Sequence, residues 1–321
     1  MKISVLGPGR WGSFIAWYLN SLGHNIMLWG RPGSASLREL KATKKNEWLV
    51  FDESITLSDN LSDALAHGEV IAISISAQNL RSFAEELSCA GDLSDKVFVL
   101  CMKGIEEFSG KRLSEVLCEC IPDTASVAVW VGPGHVQDFA RGIPNCMVID
   151  SPDRQTKELL VPAFSSKLIR FYYGNDLVGT EIGAASKNVI GIAAGILDGL
   201  KYNSLKGALM ARGTTEISRL IKAAGGNPIS AYGLCHLGDY EATLFSPHSN
   251  NRMYGESFIK NLPFPKLAEG ASTVTALMRL SEVYNVELPI CSTVNSIIHE
   301  KKDVMVLLEN LFSRSIKDEI V

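Results

Sequence analysis

Residues 1–12 read Met-Lys-Ile-Ser-Val-Leu-Gly-Pro-Gly-Arg-Trp-Gly, an apolar run that breaks into glycines at 7, 9 and 12. A short strand leading straight into G-x-G-x-x-G and a helix predicts a phosphate-binding turn. Gly7 permits the tight turn, Gly9 lets the backbone approach a pyrophosphate, and Gly12 lets the helix lie close on the strand. The helix N-terminus offers N–H groups and the positive end of its dipole to the anion. Alone, the motif also fits a structural turn in another doubly wound protein, so the sequence around it has to decide.

Working outward, short apolar runs at 3–6, 25–29, 70–75, 96–102, 125–130, 145–148 and 167–173 read as strands. Amphipathic stretches at 12–22, 34–41, 79–87, 111–120 and 136–142 read as helices between them. This alternation predicts a parallel, doubly wound (Rossmann-type) sheet covered on both faces, an α/β fold. After Asp176 the character changes to Ala-, Gly-, Leu- and Ile-rich runs, predicting helices at 177–200, 207–224, 271–284 and 291–299. The expected organisation is a dinucleotide-binding domain over 1–176 and an all-helical substrate and catalytic domain over 177–321.

The chain has 321 residues, enough for two domains, with 46% hydrophobic and 21% charged residues and a net charge of −4. That charge predicts no nucleic-acid partner, and an anionic ligand must be held by a local site. No apolar run is long enough to span a bilayer, and no charged segment precedes a long apolar one, so neither a membrane span nor a signal peptide is expected. The seven cysteines form no C-x-x-C pair and no Cys/His cluster. Reduced thiols in a cytoplasmic protein without a metal are the expectation.

The second strand bears on the choice of dinucleotide. An NAD site places an Asp or Glu near its end to bind the ribose hydroxyls. Here the segment reads Ile26-Met27-Leu28-Trp29-Gly30-Arg31-Pro32, with no acid and with Arg31 in its place. A cation there suits a 2′-phosphate, so NADP is favoured over NAD. An ordinary solvent-exposed loop arginine fits the same residues.

Several further stretches extend the pattern: SAQ at 76–78, KGIE at 103–106, GPGHVQDFARGIP at 132–144 and GAASKNVIGIAAGILDGL at 183–200. They continue with ARGTTEISRL at 211–220, GLCHLGDY at 233–240, SPHSNNRMYG at 246–255 and Glu269-Gly270. Together with GPGRWG and LWGR at 28–31, they make the chain similar, in order and over nearly its whole length, to the bacterial-type NAD(P)-dependent glycerol-3-phosphate dehydrogenases. The resemblance implies a Rossmann-type domain followed by a helical domain, and a homodimer. It implies hydride transfer between a nicotinamide cofactor and a phosphorylated triose, interconverting dihydroxyacetone phosphate and sn-glycerol 3-phosphate for phospholipid synthesis. A related two-domain hydroxyacid or opine-type dehydrogenase, and a nucleotide-binding homologue with weakened activity, are the competing readings.

Ketone reduction requires a proton donor beside the carbonyl and a grip on the remote phosphate. Lys187 stands among small and apolar neighbours, where desolvation lowers a lysine pKa toward neutrality, although a snorkelling lysine fits the same pattern. Lys103 follows an apolar run and so falls at the C-terminal end of a parallel strand, where open α/β sheets bind ligands, although a lysine that only caps a strand end fits the same position. Asp239 is an acid amid apolar residues, costly to bury unless paired; a pairing with Lys187 would satisfy both charges, although an Asp capping a helix or turn fits the same residues.

The resemblance gives Lys187 the proton transfer, Lys103 the carbonyl and the nicotinamide end of the cofactor, and Asp239 a place in the active site. It implies substrate contacts at Gly132, Gly134, Asn188, Thr243, Ser249, Asn250 and Asn251. Asn188 is expected either to bond the substrate or to orient the lysine ammonium. Cofactor contacts are implied at Gly7, Gly9, Arg10, Trp11, Gly12, Arg31, Val136, Asn250, Leu267 and Glu269. Trp11 is expected to shield the pyrophosphate turn or to pack between the domains. His135, His236 and His248 show no metal spacing and read as polar or structural.

The chain departs from the family pattern at three anion-binding positions. Asn250 stands where the family has Arg, Gly134 where it has Ser, and Arg10 where it has a small residue. Arg10 and Arg252 are the candidate cations to replace the missing one.

Overall fold

The computed structural model describes residues 1–316, 318 and 319. Three C-terminal residues of the expected 177–321 domain therefore lie outside the described residues. The sheet-forming half runs β1 (Lys2–Leu6), α1 (Arg10–Ser21), β2 (Asn25–Trp29), α2 (Ala35–Thr43), β3 (Thr56–Ser58), α3 (Leu61–His67) and β4 (Val70–Ile73). It continues with α4 (Leu80–Ala90), β5 (Val97–Leu100), α5 (Leu113–Cys118), β6 (Ser126–Val131), α6 (Val136–Ala140), β7 (Asn145–Asp150), α7 (Arg154–Phe164) and β8 (Ile169–Tyr173). The helical half holds α8 (Leu177–Gly199), α9 (Lys206–Ala223), α10 (Asn250–Ile259), α11 (Glu269–Val283), α12 (Pro289–Ile298) and α13 (Val304–Phe312).

The strands form one sheet in the order β3-β2-β1-β4-β5-β6-β7-β8. The chain order reverses at β1/β4, the switch point where ligands bind beyond the strand C-termini. Leu6 at the end of β1 lies level with Trp29 on β2 and Ile73 on β4. The expected all-parallel sheet needs one correction: β6 and β7 pair antiparallel. The five-residue α6 between them covers only about 7–8 Å, whereas the strand it would have to retrace spans about 20 Å. The longer α7 then returns the chain so that β8 runs parallel to β7.

Isoleucine, valine and leucine fill both faces of the sheet, as expected of strands buried on both sides. One core lies under α1, α6 and α7, the other under α3, α4 and α5. The third core surrounds α8, which is buried from Gly179 to Leu197. A helix apolar all round must be central, and α9, α10, α11 and α12 pack around it. At Gly195 the contact is so close that a Cβ would stand 1.9 Å from the Arg252 carbonyl. Glycine there sets how near α10 comes to the site-bearing helix.

Buried polar groups join the halves. Asp150 accepts from Asp176 N–H (3.1 Å) and Thr180 Oγ1 (2.8 Å). Glu181 on α8 accepts from Ser114 N–H (2.9 Å) and Arg112 Nη1 (2.8 Å). The elements that sequence periodicity did not mark are β3, α3, α7, α10 and α13. Most are short or open on a polar cap, Asn60, Asp153, Ser249 and Asp303 for the four helices. Expected α5 shrinks from 111–120 to Leu113–Cys118.

Candidate functional site

Gly7 sits at φ +117°, and a Cβ there would meet the Ser74 carbonyl oxygen at 2.2 Å. A Cβ on Gly12 would stand 1.9 Å from the Gly7 carbonyl oxygen. Only glycine allows this turn and this approach of α1 to β1 and β4. Gly9 caps α1 without a side-chain acceptor, so no side chain of the cap takes up the first-turn N–H groups. These features fit a dinucleotide pyrophosphate. Arg10 is the exposed first residue of α1. Trp11 packs on Phe14, Trp130 and Phe139, at ring distances of 5.1, 6.4 and 6.3 Å. All three belong to the sheet half, so the expectation that Trp11 packs between domains is corrected: its indole joins the aromatic core under α1 and α6.

Arg31 follows β2 and is exposed, but it is not free. Its guanidinium lies 5.9 Å from the Phe83 ring centre, and its Nη2 is 3.0 Å from Glu86 Oε2 on α4. The β2 sequence alone gave no sign of that partner, 55 positions away.

The chemical centre is built on one carboxylate. Asp239, 1% exposed, holds Lys103 Nζ and Lys187 Nζ on the same Oδ2, each at 2.7 Å. Lys103 follows β5 and also donates to the Gly132 carbonyl at 2.6 Å. Lys187 comes from the middle of α8 and donates to Thr243 Oγ1 at 2.8 Å. Burial lowers the Lys187 pKa to about 8; Asp239 opposes the shift, and Lys103 adds to it. Two ammonium groups against one carboxylate leave a net positive charge beside the expected anionic ligand. Asp239 ends a 3₁₀ turn (Leu237–Asp239) and Thr243 lies in a π-helical turn (Glu241–Phe245). Single π-helical turns are frequent at functional sites, and short 3₁₀ turns commonly serve as connectors.

Of the two roles expected of Asn188, the structure speaks to the orienting of the lysine ammonium. Its Nδ2 donates to the Lys103 carbonyl (3.0 Å) and its Oδ1 accepts from Asn251 Nδ2 (3.0 Å). Asn251 Oδ1 in turn accepts from Gly270 N–H at 2.9 Å. The two amides therefore tie α8, α10 and the start of α11 to the backbone of Lys103, and the Asn188 amide does not orient the Lys187 ammonium, which Asp239 and Thr243 hold.

The 246–252 stretch leads into α10. Ser249 caps α10, accepting from Arg252 N–H at 3.3 Å. Asn250 Nδ2 donates to the exposed Leu267's carbonyl at 3.0 Å. Arg252 cannot replace the missing cation: its Nη1 is 2.6 Å from Asp198 and 3.1 Å from Glu256, and its Nε donates to the Ser246 carbonyl. Lys206 takes the other Asp198 oxygen at 2.6 Å. Glu269, first in α11, accepts from Ala77 N–H at 3.1 Å, and burial raises its pKa.

Gly132 and Gly134 adopt φ of +134° and +145°. A Cβ on Gly134 would stand 2.4 Å from the Phe139 ring, which is itself stacked on Phe14. The Gly134 departure thus goes with the aromatic ring that fills its space. Val136 opens α6 and is buried. His135, which the sequence reads as polar or structural, bonds the Ala242 carbonyl through Nε2 at 2.8 Å, next to Thr243, and its ring packs on His248. Burial, aided by Lys187, pushes its pKa down to about 4, so it stands neutral. His236 is structural: it bonds the Gly183 carbonyl (2.8 Å) and Tyr240 OH (2.7 Å). No group of His, Cys, Asp and Glu among the described residues is arranged to hold a metal. No described helix is long and apolar enough to cross a membrane.

Residues 2–157 match the family model for the NAD-dependent glycerol-3-phosphate dehydrogenase N-terminus, and residues 176–309 match that for its C-terminus. A glycerol-3-phosphate dehydrogenase (NAD(P)+) of Chlorobium phaeobacteroides (strain BS1) is 37% identical, with 100% of this chain and 99% of the relative covered. That of Thermoanaerobacter sp. (strain X514) is 35% identical, with 100% and 99% covered. The crystal structure of glycerol-3-phosphate dehydrogenase from Coxiella burnetii is similar at a TM-score of 0.90 and 26% identity, covering 97% of this chain and 98% of that one. D-mandelate dehydrogenase in complex with NADH, at a TM-score of 0.63 and 14% identity over 94% of this chain and 98% of that one, shares the fold.

Proposed function

Because the chain belongs to the NAD-dependent glycerol-3-phosphate dehydrogenase family, we infer that it interconverts dihydroxyacetone phosphate and sn-glycerol 3-phosphate with an NAD(P) cofactor, feeding glycerophospholipid synthesis. The observation that carries this reading is the Lys187–Asp239–Lys103 cluster at the C-terminal end of β5. The division of labour is a dinucleotide-binding domain over 1–176 and a substrate and catalytic domain over 177–321. The last strand ends at Tyr173 and α8 begins at Leu177, which supports that boundary.

The glycine turn and the uncapped start of α1 would hold the cofactor pyrophosphate, with Arg10 at their edge. Arg31 would meet a 2′-phosphate, and NADP(H) is the favoured cofactor. Trp11, Val136, Asn250, Leu267 and Glu269 would line the rest of its site. The nicotinamide supplies the hydride when bound.

In the reductive direction Lys187 Nζ donates a proton to the substrate carbonyl oxygen, and Asp239 and Thr243 hold its ammonium in place. Lys103 polarises the same oxygen. In the oxidative direction neutral Lys187 accepts the hydroxyl proton. A pKa near 8 suits a group that must do both. Gly132, Gly134, Asn188, Ser249, Asn250 and Asn251 form the surrounding substrate wall. The chain acts as a homodimer in the cytoplasm, a setting with which its free cysteines agree.

Steady-state oxidation of NADPH or NADH with dihydroxyacetone phosphate tests the reading. Turnover on 2-oxo acids but not on dihydroxyacetone phosphate would replace it with a hydroxyacid or opine-type dehydrogenase. Cofactor binding without turnover on any of these carbonyls would replace it with a nucleotide-binding homologue.

A further inference from the structure

Arg31 does not stand alone at the end of β2. Trp29 stacks on Phe83 with ring centres 5.4 Å apart and an interplanar angle of 21°. The Arg31 guanidinium lies 5.9 Å from that Phe83 ring centre, and its Nη2 meets Glu86 Oε2 at 3.0 Å. Phe83 and Glu86 are three apart on α4 and so share one face of it. Between Trp29 and Arg31, Gly30 lies so close to Pro8 that a Cβ would come within 2.6 Å of the proline ring. The Arg31–Glu86 pair is thus built beside the glycine turn, and its acid comes from α4 instead of β2.

We propose that Glu86 sets the discrimination between NADP(H) and NAD(H) by competing with the 2′-phosphate for Arg31. This rests on the reading that Arg31 receives that phosphate. A 2′-phosphate reaching Arg31 meets a carboxylate already paired with it, and must either displace Glu86 or bind beside a like charge. NAD(H) carries no group that makes this demand. Glu86 therefore handicaps NADP(H) selectively and keeps NAD(H) competitive on a chain whose β2 has no ribose-binding acid.

Glu86→Gln removes the competing charge at an exposed position and keeps the shape. An exposed ion pair of this kind corresponds to about a two- to fivefold effect. The kcat/KM ratio of NADPH to NADH should rise by that factor through the NADPH term. Binding of 2′,5′-ADP, measured calorimetrically against ADP, should tighten by a similar factor without any turnover. The gain should vanish when Arg31→Leu is combined with Glu86→Gln. If Arg31→Leu lowers the NADPH/NADH ratio but Glu86→Gln leaves it and the 2′,5′-ADP affinity unchanged, Glu86 is a bystander and the proposal is overturned. If Arg31→Leu itself leaves the ratio unchanged, the phosphate-binding role of Arg31 fails and the proposal fails with it.

Discussion

Replacing Asp239 with Asn tests the coupling at the centre of the site. Asp239 is the carboxylate between two ammonium groups, each 2.7 Å from its Oδ2. Lys187 already titrates near 8 because it is buried, and Asp239 is what keeps it from falling further. An opposite charge in direct contact typically holds a pKa in place by about 1–3 units. Without it, and with Lys103 still beside it, Lys187 should titrate between about pH 5 and 7. At pH 7 a group of pKa about 8 is about nine-tenths protonated; a group 1–3 units lower is about one-half to one-hundredth protonated. Ketone reduction needs the protonated lysine, so its rate should fall as pH rises through about 8 in the native enzyme, and through a correspondingly lower pH in Asp239→Asn. Oxidation of glycerol 3-phosphate needs the neutral lysine and should rise through the same pH values. The assay is the pH profile of kcat in both directions, with Lys187→Ala as reference, where a loss of about 10²–10⁴-fold is expected. If Asp239→Asn keeps its reductive limb near pH 8 whatever its absolute rate, or moves it upward, Asp239 does not tune Lys187 and the reasoning is wrong.

Asn250→Arg should lower the KM for dihydroxyacetone phosphate or for the cofactor by up to about 10–100-fold, one charged hydrogen bond, because Arg252 is committed to Asp198; unchanged constants would show that another group already fills the role. Gly134→Ser should destabilise the fold by at least about 1–3 kcal/mol in thermal or denaturant unfolding, since φ +145° strains any side chain and its Cβ would overlap the buried Phe139 ring; an unchanged unfolding midpoint would refute this. Asp198→Ala leaves Lys206 and Arg252 facing each other in a largely buried site and should cost about 3–5 kcal/mol in denaturant unfolding, a loss that Asp198→Asn repairs only in part.

The sheet half was legible because its signals are local. Each strand is a short, nearly continuous apolar run, and the glycine turn announces its own geometry at Gly7 and Gly12. The antiparallel β6–β7 pair was not legible from those runs, since strand direction follows from the length of α6 and leaves no trace in the strand sequences. The long apolar α8 was equally plain, and with it the burial of Lys187. Helices α3, α7 and α10 were not legible because they open on Asn60, Asp153 and Ser249, caps that read as loop residues.

At the site, the sequence pointed to individual groups but not to how their bonds are shared. It indicated that Lys187 and Asp239 needed partners, because a buried charge is costly alone. It did not indicate that Lys103 would take the same oxygen of Asp239, since that depends on β5 ending opposite a 3₁₀ turn 136 positions later. The polar residues around 246–252 show the limit most clearly. Read in isolation, Ser249, Asn250, Asn251 and Arg252 are four equivalent donors for an anion. In the fold, Ser249 caps α10, Asn250 holds the Leu267 backbone, Asn251 holds Asn188, and Arg252 neutralises Asp198. A donor already engaged by the protein reaches a phosphate only by giving up that bond. On the proposed reading, the positive charge left over by Lys103 and Lys187 against Asp239 would then be the main electrostatic attraction for the substrate at this centre, and anion recognition and proton transfer would depend on the same three side chains.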